Sequence, residues 1–258
     1  MTTYLRVAAI IALSVAVPLS ATSARQIAQA AVEGYGDHCE EDSLDVAGIP
    51  VDEIRQLARP SDEQSAILDE LGNASVQAAQ IVKTSCPTEI SSTAVGRLDA
   101  LQQRVQAMLK AVNQEQPVLA KFYDRLSDEQ KARLNGLTQK QQTSANDGSA
   151  PVAGCRNRPL PDWPTAQLLR DVHPTPMQRT LLEALQGASA KARGILDASC
   201  ANAMPITPPA RLSAIAQRLQ AVLVAIGTVR GPLNEFYGSL SDQQKARFNM
   251  IGRSGVRR

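Results

Sequence analysis

Residues 126–135 read LSDEQKARLN and residues 240–249 read LSDQQKARFN, so one segment occurs twice in the chain. An offset of 114 positions aligns residues 97–135 with residues 211–249 without a gap, and 20 of these 39 positions are identical. Chains built from repeated units commonly use the surface that forms between neighbouring copies. The duplication therefore favours two similar halves with a shared surface over a single catalytic pocket.

Four short segments contain a Ser or Thr that is followed three residues later by a Gln. The pairs are Ser61 with Gln64, Ser127 with Gln130, Thr175 with Gln178, and Ser241 with Gln244. This spacing is typical of a capping box, in which the hydroxyl accepts from the third amide of the helix and the Gln side chain accepts from the capping amide. Each pair is predicted to begin a helix, and loss of one hydroxyl to cost about 1 kcal/mol of local stability.

The apolar residues recur at intervals of three and four nearly everywhere, as in Ile67, Leu71, Ala74, Ala78 and Ile81. The pattern predicts an all-α fold in which each half has four helices, including a second long helix of about 24 residues. Residues 138–154 are polar and end in Gly, Ser, Ala and Pro, so they are predicted to link a first repeat over 37–137 to a second over 155–252.

The N-terminus has the pattern of a signal peptide. Arg6 precedes an apolar run over 7–19, and small residues follow it. Residues 1–24 are predicted to be removed, with cleavage after Ala24 or Ala30. The run is short for a bilayer span, so an uncleaved membrane anchor is the less favoured alternative and a stable span is not expected.

The four cysteines fall two to each repeat, at Cys39, Cys86, Cys155 and Cys200. An exported chain with this distribution is predicted to form two structural disulfides. Three connectivities are possible, and the duplication favours Cys39 with Cys86 and Cys155 with Cys200. A thiol-based metal or redox site is the alternative, but the chain lacks the CxxC spacing that such sites commonly use.

The composition argues against several functions. A formal net charge of +2 gives no general attraction to nucleic acid. The sequence contains no HExxH or GxSxG motif and only two histidines, so we predict neither an enzyme nor a bound cofactor. Residues 38–42 read HCEED and are the one dense cluster of ligand-type side chains. The equivalent residues of the second repeat, 155–158, read CRNR and lack the acidic side chains of this cluster. A metal site is therefore not predicted.

Two further sets of residues have a functional and a structural interpretation. Met108, Leu109, Leu219 and Leu223 are candidates for binding apolar ligands, but their helical spacing favours a place in the core. The pairs Phe122 with Tyr123 and Phe236 with Tyr237 precede equivalent capping segments. They are interpreted as anchors that pack one helix onto another.

With these motifs the chain resembles the LTxxQ-motif family, the periplasmic Spy/CpxP-like proteins. The resemblance rests on Leu126 to Gln130 and Leu240 to Gln244, on the two upstream boxes, and on the helical pattern with an export signal. The chain departs from the motif where Pro60 and Pro174 replace the leucine and where Ser replaces Thr. The cysteines and the tandem duplication are further departures from the simplest family pattern.

The resemblance implies helical hairpins that dimerise into a cradle and bind unfolded or misfolded envelope proteins without ATP. Some members of the family also signal envelope stress to the periplasmic domain of a sensor kinase. The alternative function is therefore an interaction with one dedicated envelope partner. Some relatives bind zinc or other divalent ions. In this chain two repeats could supply both halves of the cradle, which predicts a periplasmic monomer with an intrachain pseudo-dimer.

Overall fold

The computed structural model describes residues 49–86, 91–145, 164–200 and 205–254, and these residues form eight α-helices and no strand. The helices of the first repeat are α1 (Val51–Ala58), α2 (Asp62–Thr84), α3 (Ala94–Asp124) and α4 (Asp128–Ala145). Those of the second repeat are α5 (Thr165–Val172), α6 (Pro176–Ala198), α7 (Pro208–Ser239) and α8 (Asp242–Ser254). The prediction of an all-α fold with two repeats of four helices is confirmed.

Each repeat is a hairpin of two long helices whose capping end is closed by two shorter helices. α2 packs along α3, and α1 packs on α2 and α4; α6 packs along α7, and α5 packs on α8. The apolar spacing explains this arrangement, because it places Leu68, Leu71 and Val82 on one buried face of α2. Leu182 and Leu185 occupy the same face of α6.

The second long helix of each repeat is longer than the sequence predicted. α3 has 31 residues and α7 has 32, and each continues through a proline, Pro117 or Pro232. A proline removes the hydrogen bond to the carbonyl four residues earlier, which usually ends or kinks a helix. In α3 this carbonyl belongs to Asn113. Asn113 and Pro117 are both exposed, so that water can reach the carbonyl.

The boundary between the repeats also differs from the prediction. Helix α4 continues to Ala145, so the linker predicted over 138–154 begins as helix. Polar residues such as those at 139–142 do not interrupt a helix that a capping box has already started. Residues 146–154, the signal sequence at 1–24, and Cys39 and Cys155 lie outside the described residues.

The two repeats pack against each other through α3 and α7, which run antiparallel. Leu212 and Ala216, near the start of α7, are buried in the core of the first repeat. Ala94, Val95 and Leu98, at the start of α3, pack against the core of the second repeat. The start of each long helix therefore completes the core of the other repeat, which gives the described chain approximate two-fold symmetry.

Polar contacts reinforce one end of this α3–α7 seam. The Arg230 guanidinium lies 2.8 Å from a carboxylate oxygen of Asp99 and also donates to Gln102. At the same end, the backbone amide of Ala94 donates to the Asn249 side chain at 2.9 Å. The symmetry-related position of Ala94 is Pro208, which has no amide hydrogen. The bond that the Ala94 amide makes therefore has no counterpart at the other end of the seam.

Helix α7 is the one helix among the described residues that is long and apolar enough to cross a membrane. In the structure it instead lies between α6 and α3. Arg218 on α7 donates to the carbonyl of Leu196 and to the hydroxyl of Ser199 at the end of α6. Helix α7 is therefore packed against two neighbouring helices of the bundle.

A single acidic side chain is fully buried between the helices of the first repeat. Glu115 of α3 is 0% exposed, and its carboxyl group lies beside the Ser75 hydroxyl of α2 without a hydrogen bond of ordinary length and angle. Burial raises the pKa of Glu115 to about 7, and the nearby hydroxyl of Ser75 on α2 opposes that rise only in part. The equivalent position in the second repeat is Val229.

Candidate functional site

The four capping boxes meet in pairs, one pair in each repeat. In the first repeat, the Gln64 side chain accepts from the amide of Ser61 at 3.0 Å, and the Ser61 hydroxyl accepts from the amide of Gln64 at 3.3 Å. Ser127 and Gln130 form the same two bonds, at 2.8 and 3.3 Å. Both boxes therefore fix the first turn of their helices, α2 and α4.

The two glutamines of a repeat also bind each other. The amide nitrogen of Gln130 donates to the side-chain oxygen of Gln64 at 2.9 Å, and the amide nitrogen of Gln64 donates in return at 3.1 Å. Each nitrogen has one further hydrogen to donate. Gln130 uses it for the carbonyl of Ala58 at 2.9 Å, and Gln64 uses it for the carbonyl of Arg125 at 2.7 Å.

The second repeat has the same arrangement. Gln178 and Gln244 donate to each other at 3.1 and 2.9 Å. Gln178 also donates to the carbonyl of Ser239 at 2.7 Å, and Gln244 to the carbonyls of Val172 and His173, both at 3.3 Å. We refer to each reciprocal pair, Gln64 with Gln130 and Gln178 with Gln244, as a glutamine clasp.

Each clasp holds the end of a short helix in an unfavourable backbone conformation. Arg59 follows α1 with a φ of 47°, and His173 follows α5 with a φ of 51°. A left-handed conformation costs a residue other than glycine roughly 1–2 kcal/mol. Hydrogen bonds from the clasp to the carbonyls at these positions offset that cost. The clasp therefore fixes the chain where the short helix turns into the first long helix.

A model of the LTXXQ motif family protein matches the chain twice, over residues 48–138 and 161–252. The chain belongs to the LTxxQ motif family. Each match contains the first three helices of one repeat, most or the beginning of its fourth helix, and both members of its clasp. No curated protein and no solved structure matches the chain.

The clasp gives the LTxxQ signature a structural explanation that the sequence did not provide. The sequence predicted each Gln as the partner of its own cap, but it did not predict that two boxes would share their amides. The equal separation of 66 residues between the two glutamines of each repeat was the available signal. In this chain, loss of either glutamine would remove one donated and one accepted hydrogen bond from the side-chain amide of the other.

Loss of a clasp is expected to loosen the short helix that it holds. Replacing Gln130 with Ala should lower the free energy of unfolding by about 3 kcal/mol, from about 1 kcal/mol for each of its three hydrogen bonds to other elements, two with Gln64 and one with the carbonyl of Ala58. Faster amide hydrogen exchange in α1 should accompany the loss. Gln103→Ala, which removes an exposed glutamine from α3, is the control and should change neither quantity.

The Phe-Tyr pairs make contacts that hold the fold together. Phe122 and Phe236 are both 0% exposed. The Tyr123 hydroxyl donates to the side chain of Asn135 at 3.0 Å, and the Tyr237 hydroxyl accepts from Asn249 at the same distance. Since Asn249 also binds the amide of Ala94, the second pair helps to connect the two repeats.

The aliphatic side chains proposed at first as ligand-binding candidates pack inward. Met108 contacts the small cluster of Ala78, Val82 and Ala111, while Leu109 and Leu219 pack against the core of the first repeat. Leu223 is partly buried. Other large apolar side chains are exposed instead: Val76, Leu101, Leu169, Met177, Ile206, Val224 and Met250. The sequence did not distinguish them because exposure depends on which helix faces remain uncovered.

Cys86 and Cys200 are both disulfide-bonded. Their predicted partners Cys39 and Cys155 lie outside the described residues, so the pairing stays a prediction. The residues at 38–42 also lie outside, and the part of the chain that is described holds no group of three His, Cys, Asp or Glu side chains suited to a metal. His173 lies at the end of α5, where its Nδ1 is 3.3 Å from a guanidinium nitrogen of Arg247.

Proposed function

We propose that this LTxxQ protein is an ATP-independent, chaperone-like protein of the periplasm that binds unfolded or stressed envelope proteins. Family membership supports the proposal, and the observation that carries it is the set of exposed apolar side chains. Met177 is 78% exposed and Val76 is 71% exposed. A single exposed apolar side chain is common on a protein surface, so the proposal is supported by the set of seven together with family membership and not by any one of them.

The distribution of these side chains fits weak binding to many clients. They occur singly on α2, α3, α5, α6, α7 and α8 and in the segment that precedes α7. Several separated contacts can engage different unfolded segments, whereas one dedicated ligand is usually bound by a concave pocket with a few placed polar groups. The proposal therefore includes a binding function without a catalytic step.

The test is whether the mature protein suppresses the aggregation of several unrelated proteins. At a stoichiometric ratio and without ATP, light scattering should fall for at least three chemically denatured clients as they are diluted into buffer. Bovine serum albumin at the same mass concentration is the control for crowding. No suppression of any client would contradict the proposal and would favour the second candidate, a protein with one dedicated envelope partner such as the periplasmic domain of a sensor kinase.

The proposed location depends on export through residues 1–24. The mass of the protein isolated from the periplasm should correspond to cleavage after Ala24 or Ala30. A protein that keeps residues 1–24 and sediments with membranes would contradict this part of the proposal.

A further inference from the structure

The exposed apolar side chains are distributed unequally between the repeats. Five of the seven lie in the second repeat: Leu169, Met177, Ile206, Val224 and Met250. The residues 114 positions earlier in the first repeat are Arg55, Glu63, Ser92, Lys110 and Gly136. Two of these make exposed ion pairs, Arg55 with Asp69 at 2.6 Å and Glu63 with Arg125 at 3.0 Å. Four of the five matching positions are therefore polar in the first repeat, and the fifth is a glycine.

The charges of the two repeats also differ. Residues 49–86 and 91–136 contain 10 Lys and Arg against 11 Asp and Glu, which gives a formal charge of −1. Residues 164–200 and 205–251 contain 9 Lys and Arg against 5 Asp and Glu, which gives +4. The second repeat thus combines exposed apolar groups with positive charge, and a segment with apolar and acidic side chains complements both.

One groove brings these two properties together. It lies between α5 and α8, has a volume of about 490 Å³, and is lined by Arg170, Arg247, Met250 and Ile251 among others. Met250 is 59% exposed. Arg247 is held in place because it donates to the carbonyl of Asp171 at 3.2 Å. The lining contains two guanidinium groups, those of Arg170 and Arg247, and one carboxylate, that of Asp171. The groove therefore has a net positive formal charge.

The corresponding surface of the first repeat has a different lining. Gly136 occupies the place of Met250, Gln56 the place of Arg170, and Glu53 the place of Gln167. Leu57, Arg59 and Leu137 replace Asp171, His173 and Ile251, while Arg133 matches Arg247. A Cβ atom added at Gly136 would meet no atom within 4 Å, so the space of the methionine is open there. The duplication provides a natural comparison in which the same helix pair lacks counterparts of Arg170 and Met250.

We propose that the groove between α5 and α8 binds an unfolded segment that carries both acidic and apolar side chains, and that the first repeat does not bind it at the corresponding surface. The carboxylates of the segment pair with Arg170 and Arg247, and its apolar side chain covers Met250 and Ile251. The inference deepens the proposed function by naming a class of client segment. It also assigns that segment to one repeat.

A synthetic peptide tests the groove directly. The probe is a fluorescein-labelled twelve-residue peptide with three Leu and three Glu among Gly and Ser, measured by fluorescence anisotropy with the mature protein. A peptide with Lys in place of Glu, and another with Ser in place of Leu, should each bind at least about tenfold more weakly. Equal binding of all three peptides would overturn the proposal.

Exchange of residues between the repeats locates the site. The double variant Arg170→Gln with Met250→Ser should bind the Glu-Leu peptide at least about tenfold more weakly than the unmodified protein. Arg59→Gln removes one exposed positive charge from the first repeat and should leave binding unchanged. A loss of affinity with Arg59→Gln equal to that with the double variant would show a general charge effect and overturn the assignment.

A gain of binding provides the reciprocal test. The variant Glu53→Gln, Gln56→Arg and Gly136→Met rebuilds the groove on the first repeat, with Arg133 already present. It should bind two peptides for each chain, whereas the unmodified protein binds one. Circular dichroism should show that every variant used is folded, and no melting temperature should fall, while Gly136→Met should raise it because glycine is a poor helix former. A stoichiometry that stays at one in the triple variant would contradict the role assigned to these lining residues.

The two proposals can fail separately. If the Arg170→Gln, Met250→Ser variant still suppresses aggregation of acidic, apolar clients as well as the unmodified protein does, the groove is not the client site and the chaperone function stands. If the unmodified protein binds the Glu-Leu peptide through the groove but suppresses no aggregation, the chaperone function fails and the groove stands.

Discussion

Replacing Glu115 with Gln is expected to raise the free energy of unfolding by about 3 kcal/mol at pH 8 and to leave it nearly unchanged at pH 4. The pKa of Glu115 is about 7 in the folded protein because burial disfavours the charged carboxylate, against 4.5 for an ordinary glutamate. Between pH 4.5 and pH 7 the Glu115 carboxyl group is ionised in the unfolded chain but still protonated in the folded protein. The free energy of unfolding therefore falls as the pH rises. Above pH 7 the carboxyl group is ionised in both the folded and the unfolded protein, so the free energy of unfolding falls no further.

The measurement is urea unfolding of Glu115→Gln and the unmodified protein between pH 4 and pH 8. Their difference should grow from pH 4.5 to pH 7 and then level off. Glu235→Gln, an exposed change on α7, is the matched control and should give a curve parallel to that of the unmodified protein. Glu115→Val places in the first repeat the residue that the second repeat has, and should also remove the pH dependence. Parallel curves for Glu115→Gln and the unmodified protein would contradict the assignment of Glu115.

Reduction of the disulfides is expected to have the largest effect on stability. Each predicted bridge closes a loop of about 45 to 50 residues, and its loss should lower the free energy of unfolding by roughly 4 kcal/mol in the chain-entropy model. The double variants Cys39→Ser with Cys86→Ser, and Cys155→Ser with Cys200→Ser, each remove one predicted bridge. Each should shift the urea midpoint in the same direction as a reducing agent does, and by about half as much.

Peptide mapping without reduction provides the control for the pairing. It should recover Cys39 linked to Cys86 and Cys155 linked to Cys200. A peptide that links Cys39 to Cys155 or to Cys200 would contradict the pairing that the duplication favours. A reducing agent that leaves the urea midpoint unchanged would contradict the stabilising role.

The sequence predicted the type and number of the helices because their causes are local. Apolar residues at intervals of three and four gave the helical faces, and the Ser or Thr with Gln three residues later gave the starts of α2, α4, α6 and α8. The length of α3 was not predictable in this way. Pro117 is a strong stop signal in isolation, and its tolerance depends on an exposed carbonyl that only the folded structure reveals.

The features that depend on contacts between distant residues were also missed. Glu115 lies between Val112 and Leu119 in the apolar spacing, so its burial follows from the face that α3 turns to α2. The glutamine clasp requires two helix starts 66 residues apart to meet, which no local pattern specifies. The exposure of Met177 on α6 and Met250 on α8 could be recognised only after the surrounding helices had been placed.

The antiparallel seam between α3 and α7 lies within one polypeptide, and this has a consequence for how the protein can vary. In a symmetric homodimer each substitution is made in both subunits at once, so a change that suits one end of the interface is imposed on the other. In this chain each residue belongs to one end of the interface only, so the two ends can change independently. Pro208 can therefore differ from Ala94, and Ser213 from Asp99, within an interface whose assembly does not weaken on dilution.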